Sequence, residues 1–253
     1  MLEGKGLRIA AVSYDSRETL QHFAEKYQIQ IPLLSDRDSA VIRSFGILNT
    51  NIAPGLRAHG VPHPVDYLIA PDGLVIRKYF VPNYQHRVTA SSVAFREFGV
   101  VSKAAPIVTL QSGALTIVIG LSTARAFAGQ EISFFAKFAL EPGWHVYGAP
   151  LPEGYTTTSI TFDGPTIVRQ SFELPPAVPM RVNFLEETVP VHSGSFQGLG
   201  SLLLRFPLDA GKLMLSGRLS FQQCSEAVCE PPEAIAFELP LILEPFVVAI
   251  RSR

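Results

Sequence analysis

Leu213-Met214-Leu215-Ser216-Gly217-Arg218-Leu219-Ser220-Phe221-Gln222-Gln223-Cys224-Ser225-Glu226-Ala227-Val228-Cys229-Glu230-Pro231-Pro232 is the stretch on which the reading of the fold turns. Leu213, Leu215, Leu219 and Phe221 are apolar at every second position except Gly217, and Met214, Ser216, Arg218, Ser220 and Gln222 alternate with them, which is the pattern of a half-buried strand. The strand runs into the only two cysteines of the 253 residues, with four residues between them. Such a spacing lets two sulfurs meet across a tight turn, so a Cys224–Cys229 disulfide is the first expectation. Continuing the strand phase places Cys224 with the polar set, near the solvent face or on a strand-end bulge, whereas a purely structural cysteine falls more often in the core phase. Pro231-Pro232 then removes two backbone donors, ends any ladder and stiffens the chain behind the turn.

The same period of two recurs upstream and downstream. Leu115 to Ile119, then Ile132, Phe134, Ala136, Phe138 and Leu140, then Leu202, Leu204 and Phe206, and finally Ile235, Phe237, Leu239 and Leu241 all show it. Turn signals separate them, among them Glu141-Pro142-Gly143, Asp163-Gly164-Pro165 and Asp209-Ala210-Gly211. Several short strands with regular turns predict a β-sandwich over residues 103–253.

Residues 1–102 have another texture. Leu7 to Ser13 reads as a buried strand, Asp15-x-x-Glu18 as a capping box, and Leu20, Phe23, Ala24 and Tyr27 as a helix face. Asp38 or Ser39 is placed to cap a short helix that Gly46 stops. Val65 to Ala70 and Leu74 to Phe80 form a hairpin about Pro71-Asp72-Gly73, and a last helix covers Ser91 to Phe98 and ends at Gly99. Strand, helix, helix, hairpin, helix is an α/β domain. The boundary is expected near residue 103, where Val100 to Pro106 lacks periodicity.

Composition bounds the rest. With 47% hydrophobic and 17% charged residues the chain can bury a substantial core. Its 21 basic and 22 acidic residues give no bulk electrostatic drive toward nucleic acid or an anionic membrane. No apolar run approaches the roughly 18 to 20 residues of a spanning helix, and Met1 to Gly6 lacks the basic and long apolar regions of a secretory signal. Two cysteines do not settle the compartment, because catalytic pairs occur in both oxidising and reducing settings.

Two family resemblances bear on function. Ala11-Val12-Ser13-Tyr14-Asp15-Ser16, Phe23 to Tyr27, Pro32 to Asp36 and Tyr67 to Gly73 resemble the later part of a peroxiredoxin-like (AhpC/TSA-type) redoxin of the thioredoxin fold. In that family the redox cysteine lies upstream of the strand with which this chain begins, and residues 1–102 contain none. Peroxide reduction needs a thiolate, so this half is not expected to be a competent peroxidase. The resemblance implies a missing first strand and helix, hence an N-terminally incomplete domain or a partner over the uncovered edge, and marks Pro64 as a candidate cis proline.

Gly143-Trp144-His145-Val146-Tyr147, Pro190-Val191-His192 and Cys224-x4-Cys229-x-Pro231-Pro232 resemble the N-terminal, immunoglobulin-like domain of the thiol:disulfide interchange protein DsbD. That resemblance implies a periplasmic module passing electrons between a reductant protein and thioredoxin-fold partners. It makes Cys229 the attacking and Cys224 the resolving sulfur, with Pro231 and Pro232 as a rigid support. Alternation puts Tyr147 on the same strand face as His145 and opposite Trp144 and Val146, so the resemblance offers it as the aromatic neighbour of the cysteines, with core and surface packing as the alternative reading of these side chains. Phe184 and Glu186 lie in the segment where the family carries a loop that shields the cysteines, although Phe184-Leu185-Glu186-Glu187-Thr188 is poorer in aromatics than that loop.

Exchange chemistry requires only a thiolate, a partner disulfide and a neighbouring thiol, so no cofactor is expected. Glu226 and Glu230 would raise a nearby thiol pKa, so a strongly activated thiolate is not expected. The alternatives are an inert staple, free thiols, or a metal site. The staple would constrain the unfolded chain by only about 2 kcal/mol across so short a loop, and zinc is least favoured without a second Cys or His pair. A non-catalytic interaction protein with a structural disulfide is the competing function.

Overall fold

The computed structural model describes residues 6–56, 59–80, 83, 85–182 and 187–245. They form two compact units that divide between Arg87 and Val88.

In the first unit, β1 (Ala11–Ser13) pairs in parallel with β2 (Leu33–Ser35) across α1 (Arg17–Tyr27). The cap of α1 is Ser16, whose hydroxyl accepts from the Thr19 N–H at 3.2 Å. Asp15 does not form the expected capping box, because its carboxylate is engaged by the Ser13 hydroxyl. α2 (Ala40–Ser44) is held at its start by neither Asp38 nor Ser39 but by Asp36, whose carboxylate accepts from the Val41 and Ile42 N–H groups at 3.1 and 2.8 Å. The Ser39 hydroxyl instead donates to the Gly60 carbonyl. Gly46 follows α2 with φ of +65°, as expected of a left-handed stop. β3 (Val65–Ile69) and β4 (Val75–Phe80) form the expected antiparallel hairpin, its turn fixed by the Asp72 carboxylate accepting from Leu74 N–H. Val12 and Leu34, opposite one another in the β1–β2 pair, are 44% and 50% exposed. Pro64 is trans; the cis bonds among the described residues precede Pro150 and Pro207.

A two-residue strand, β5 (Arg87–Val88), stands at the division. α3 (Ala90–Phe98) follows, capped by the Thr89 hydroxyl and closed by Gly99 at φ of +65°. The second unit is the sandwich. One sheet runs β12 (Ile167–Glu173), β15 (Ser195–Leu204), β9 (Gln130–Leu140), β7 (Leu115–Leu121), β6 (Ile107–Ser112). A second runs β11 (Ser159–Phe162), β16 (Gly211–Phe221), β18 (Glu233–Leu243), β8 (Arg125–Ala126). A third runs β13 (Val178–Val182), β14 (Glu187–Ser193), β10 (His145–Tyr147), β17 (Gln223–Cys224).

The apolar phases found in the sequence meet in one core, with Ile117, Ile119, Phe134 and Phe138 joined to Leu219, Phe221, Leu239 and Leu241. Gly217 interrupts the alternation of β16 because a Cβ there would stand 2.5 Å from the Phe237 ring. α3 belongs to this unit rather than to the α/β half. Phe95 meets Phe135 with ring centroids 5.6 Å apart, and the buried Glu131 of β9 accepts from Arg96 at 3.2 Å and from Arg169 at 3.0 Å. This clasp puts the division by contact at residues 87/88, ahead of the boundary near 103 that composition had pointed to. No described helix is long and apolar enough to cross a membrane.

Candidate functional site

β16 leaves its sheet at Phe221, and after Gln222 the chain enters the third sheet as β17. Two glutamine side chains fix this crossing. Gln222 donates to the Glu230 carbonyl and accepts from the Thr156 N–H. Gln223, turned the other way and 4% exposed, accepts from the Ala114 N–H at 3.1 Å and donates to the Ser112 carbonyl at 3.2 Å. The change of sheet resets the side-chain phase. Cys224 is therefore buried, at 1% exposure, and not on the solvent side where extrapolation of the β16 alternation put it.

Beyond Cys224 the chain reverses at once. Ser225 N–H donates to the Val228 carbonyl at 2.7 Å, and the Ser225 hydroxyl accepts from the N–H groups of Ala227 and Val228. Glu230 N–H donates back to the Gln223 carbonyl at 3.0 Å. Cys224 and Cys229 face each other as an antiparallel bridge, Cα atoms 4.1 Å apart, and are joined as a disulfide. The two sulfurs differ in access: Cys224 is buried, and Cys229 is half-buried beside an exposed turn.

Tyr147 of β10 supplies the floor. Its side chain is fully buried, and its hydroxyl lies 3.1 Å from the Cys224 Sγ and 3.6 Å from the Cys229 Sγ. Burial pushes the phenol pKa above its ordinary value, so at neutral pH the hydroxyl keeps its proton and can donate to sulfur. Val189, Val191 and Tyr155 pack around it, Tyr155 edge-on at 5.0 Å between ring centroids. His145, two residues back on the same face, is paired directly with Cys224 across β10–β17. Its ring meets Tyr147 edge-on with centroids 5.6 Å apart. Burial holds the pKa values of His145 and of His192, on the neighbouring β14, below the ordinary histidine value, so both are neutral at pH 7.

Of the residues singled out in the sequence, Cys224, Cys229 and Tyr147 thus come together. Pro231 and Pro232 follow the hairpin and, with Gln223, Glu230 and Trp144, line an adjacent cleft of about 600 Å³. Phe184 and Glu186 lie outside the described residues. Glu226 and Glu230 are exposed, so water screens their effect on the sulfurs. His145 was legible only as a face-mate of Tyr147. Val189 and Tyr155 carried no signal, since their place depends on strand pairing distant in sequence. No group of three or more His, Cys, Asp or Glu among the described residues is arranged to hold a metal.

Comparison with known proteins finds two separate matches along the chain. Residues 1–78 match the AhpC/TSA family, and residues 120–241 match the family described as thiol:disulfide interchange protein DsbD, N-terminal. Peroxiredoxin Bcp of Escherichia coli is 34% identical over 74 residues, which are 29% of this chain and 47% of that protein. The putative peroxiredoxin bcp of Shigella flexneri matches with the same figures. The chain spans about half the length of these curated relatives. Among solved structures, the N-terminal periplasmic domain of ScsB from Proteus mirabilis is 17% identical with a TM-score of 0.41, over 54% of this chain and 50% of that one. The Neisseria meningitidis DsbD n-terminal domain in its reduced form is 12% identical with a TM-score of 0.28, over 55% of this chain and 90% of that one. The chain is a thioredoxin-like AhpC/TSA region followed by a DsbD N-terminal-like, immunoglobulin-like domain. The disulfide it carries there fits thiol–disulfide exchange.

Proposed function

We propose that the chain passes electrons by thiol–disulfide exchange between Cys224–Cys229 and thioredoxin-fold proteins, in the periplasm or another extracytoplasmic compartment, with a reductant protein at the other end of the relay. The observation that carries this is the asymmetry of the pair. Cys229 is half-buried at the base of an exposed turn, and Cys224 is buried against a protonated Tyr147 hydroxyl 3.1 Å away.

In the reducing direction a partner thiolate attacks the Cys229 Sγ, the sulfur of the less buried cysteine. A partner–Cys229 bond forms, the Cys224–Cys229 bond breaks, and its electron pair goes to the Cys224 Sγ. Tyr147 donates a hydrogen bond to the thiolate so formed. The partner's second thiolate then attacks its own sulfur in the mixed disulfide, expelling Cys229 as a thiolate. Two electrons and two protons have passed to this chain. In the forward donation the same steps run backwards, with Cys229 attacking and Cys224 resolving. The thioredoxin-like half, which holds no cysteine, takes no part in the electron transfer and consumes no peroxide.

Incubation with a reduced thioredoxin, followed by acid quenching and alkylation, tests this reading. Opening of Cys224–Cys229 by the reduced thioredoxin is expected, as is a mixed disulfide through Cys229 when the Cys224→Ser variant is instead given oxidised thioredoxin, whose disulfide the Cys229 thiolate attacks. A pair that stays closed and forms no mixed disulfide would instead identify a staple in an interaction protein.

A further inference from the structure

His145 is 5% exposed, and its Nε2 has no hydrogen-bond partner among the described residues. A buried polar atom left in this way costs free energy in every state in which it stays unpartnered. The disulfide-bonded state is one such state. What changes on reduction is the residue directly opposite. Cys224, paired with His145 across β10–β17 and on the same strand face, turns from a disulfide sulfur with little capacity for hydrogen bonding into a thiolate or thiol. Cys224 is itself 1% exposed, so water cannot solvate the new charge. The Tyr147 hydroxyl already lies 3.1 Å from this sulfur, and the His145 imidazole, opposite Cys224 in the strand pairing, packs edge-on against the Tyr147 ring. Burial keeps that ring neutral, so it carries one N–H and one lone pair and can serve either protonation state of the sulfur.

We propose that His145 is a redox-linked hydrogen-bonding residue: its Nε2 is unpartnered while Cys224–Cys229 is closed and pairs with the Cys224 sulfur once the disulfide opens. The proposal rests on that pair being the redox centre. When an attacking thiolate bonds to the Cys229 Sγ, the electron pair of the broken bond stays on the Cys224 Sγ, and His145 Nε2–H donates to it alongside the Tyr147 O–H. Solvent supplies the proton that finally converts the thiolate to a thiol. Because the bond exists only in the reduced form, it shifts the equilibrium toward the dithiol, making the pair a stronger oxidant.

The full chain is equilibrated in glutathione buffers of graded ratio and the reduced fraction is read by alkylation and mass spectrometry. His145→Phe keeps an aromatic ring and removes both nitrogens; it is expected to lower the equilibrium constant for reduction about tenfold. His145→Gln, which retains a donor, is expected to recover most of that loss. In the unaltered protein, nitrogen-15 spectra should show the His145 Nε2 resonance moving between the oxidised and reduced forms. A folded His145→Phe protein with the original glutathione equilibrium, or a Nε2 resonance identical in both forms, overturns the proposal; the spectrum decides if the variant does not fold. Glutathione is not a thioredoxin-fold partner, so failure with partner proteins alone would sink the proposed relay and leave this result standing.

Discussion

The Tyr147 hydroxyl stands 3.1 Å from the Cys224 sulfur, in a pocket that leaves Tyr147 at 0% and Cys224 at 1% exposure. A donor placed there matters most when the sulfur is charged, because a hydrogen bond to a buried ion is worth roughly twice a neutral one. Tyr147→Phe keeps the ring and removes the donor. Its disulfide is expected to be opened about tenfold more slowly by dithiothreitol, with the oxidised protein losing only about 1 kcal/mol of stability. Unchanged opening kinetics would show that the hydroxyl serves packing alone.

The unequal burial of the sulfurs predicts unequal single-cysteine variants. Cys224→Ser leaves the half-buried Cys229, which is expected to react readily with an aromatic disulfide reagent. Cys229→Ser leaves the buried Cys224, expected to react at least about tenfold more slowly, since access and thiolate character set the rate. Equal rates would contradict the assignment of Cys229 as the sulfur that partners meet.

Acid should weaken the sandwich. Burial lowers the pKa values of His145 and His192 in the folded state. Well above about pH 6.5 both residues are neutral folded or unfolded, so their protonation does not affect stability. As pH falls below that value the unfolded chain takes up protons that the folded one refuses, so stability declines until the lowered folded values are reached. Trp144, the only tryptophan, lies in the sandwich and reports its unfolding alone. Urea midpoints followed by its fluorescence are expected to fall between pH 7 and pH 5 and to flatten in a His145→Phe, His192→Phe double variant; a slope that persists in that variant would assign the loss to other groups. In the first unit Asp66 acts with the opposite sign: burial raises its pKa, so what its protonated form contributes is lost as pH rises.

Glu131 is the clasp of α3, with one carboxylate oxygen accepting from Arg96 and the other from Arg169. Glu131→Ala removes both bonds, but the two arginine side chains are 31% and 60% exposed and can turn to water, which limits the cost. A loss of about 1–2 kcal/mol is expected. Faster amide exchange over Ala90–Phe98 should accompany it. Unaltered exchange there would mean that the remaining contacts, the Phe95–Phe135 rings and the bonds from Ser92 to the Glu131 carbonyl and from Arg96 to Ser133, hold the helix.

The long strands were legible because their core-facing positions are apolar at every second residue, even in β9, where α3 covers part of the other face. Ile132 to Leu140 and Leu213 to Phe221 show their period in the letters, and the gap at Gly217 is the imprint of Phe237. The third sheet was not legible, although it carries the site. Its strand β10 buries His145, Val146 and Tyr147 alike, so no alternation between water and core survives. Cys224 was misplaced for a related reason: period counting assumes one continuous sheet, and the chain changes sheets at Gln222. The helix ending at Gly99 was readable from its stop, but its attachment to β9 depends on Glu131, far from it in sequence.

The hairpin around the cysteines is held by more than the bond between them. The hydrogen bonds from Glu230 to Gln223 and from Ser225 to Val228 are main-chain bonds that remain when sulfur leaves sulfur. Under the proposed exchange, Cys224 therefore stays tethered beside any mixed disulfide formed at Cys229, at an effective concentration far above that of a free thiol. A visitor with one thiol is expelled by Cys224 before a second visitor arrives, whereas a visitor with two can finish the transfer from within. If the exchange runs as proposed, the turn would act as a valence filter that favours dithiol partners over monothiols, using only the short leash between two cysteines.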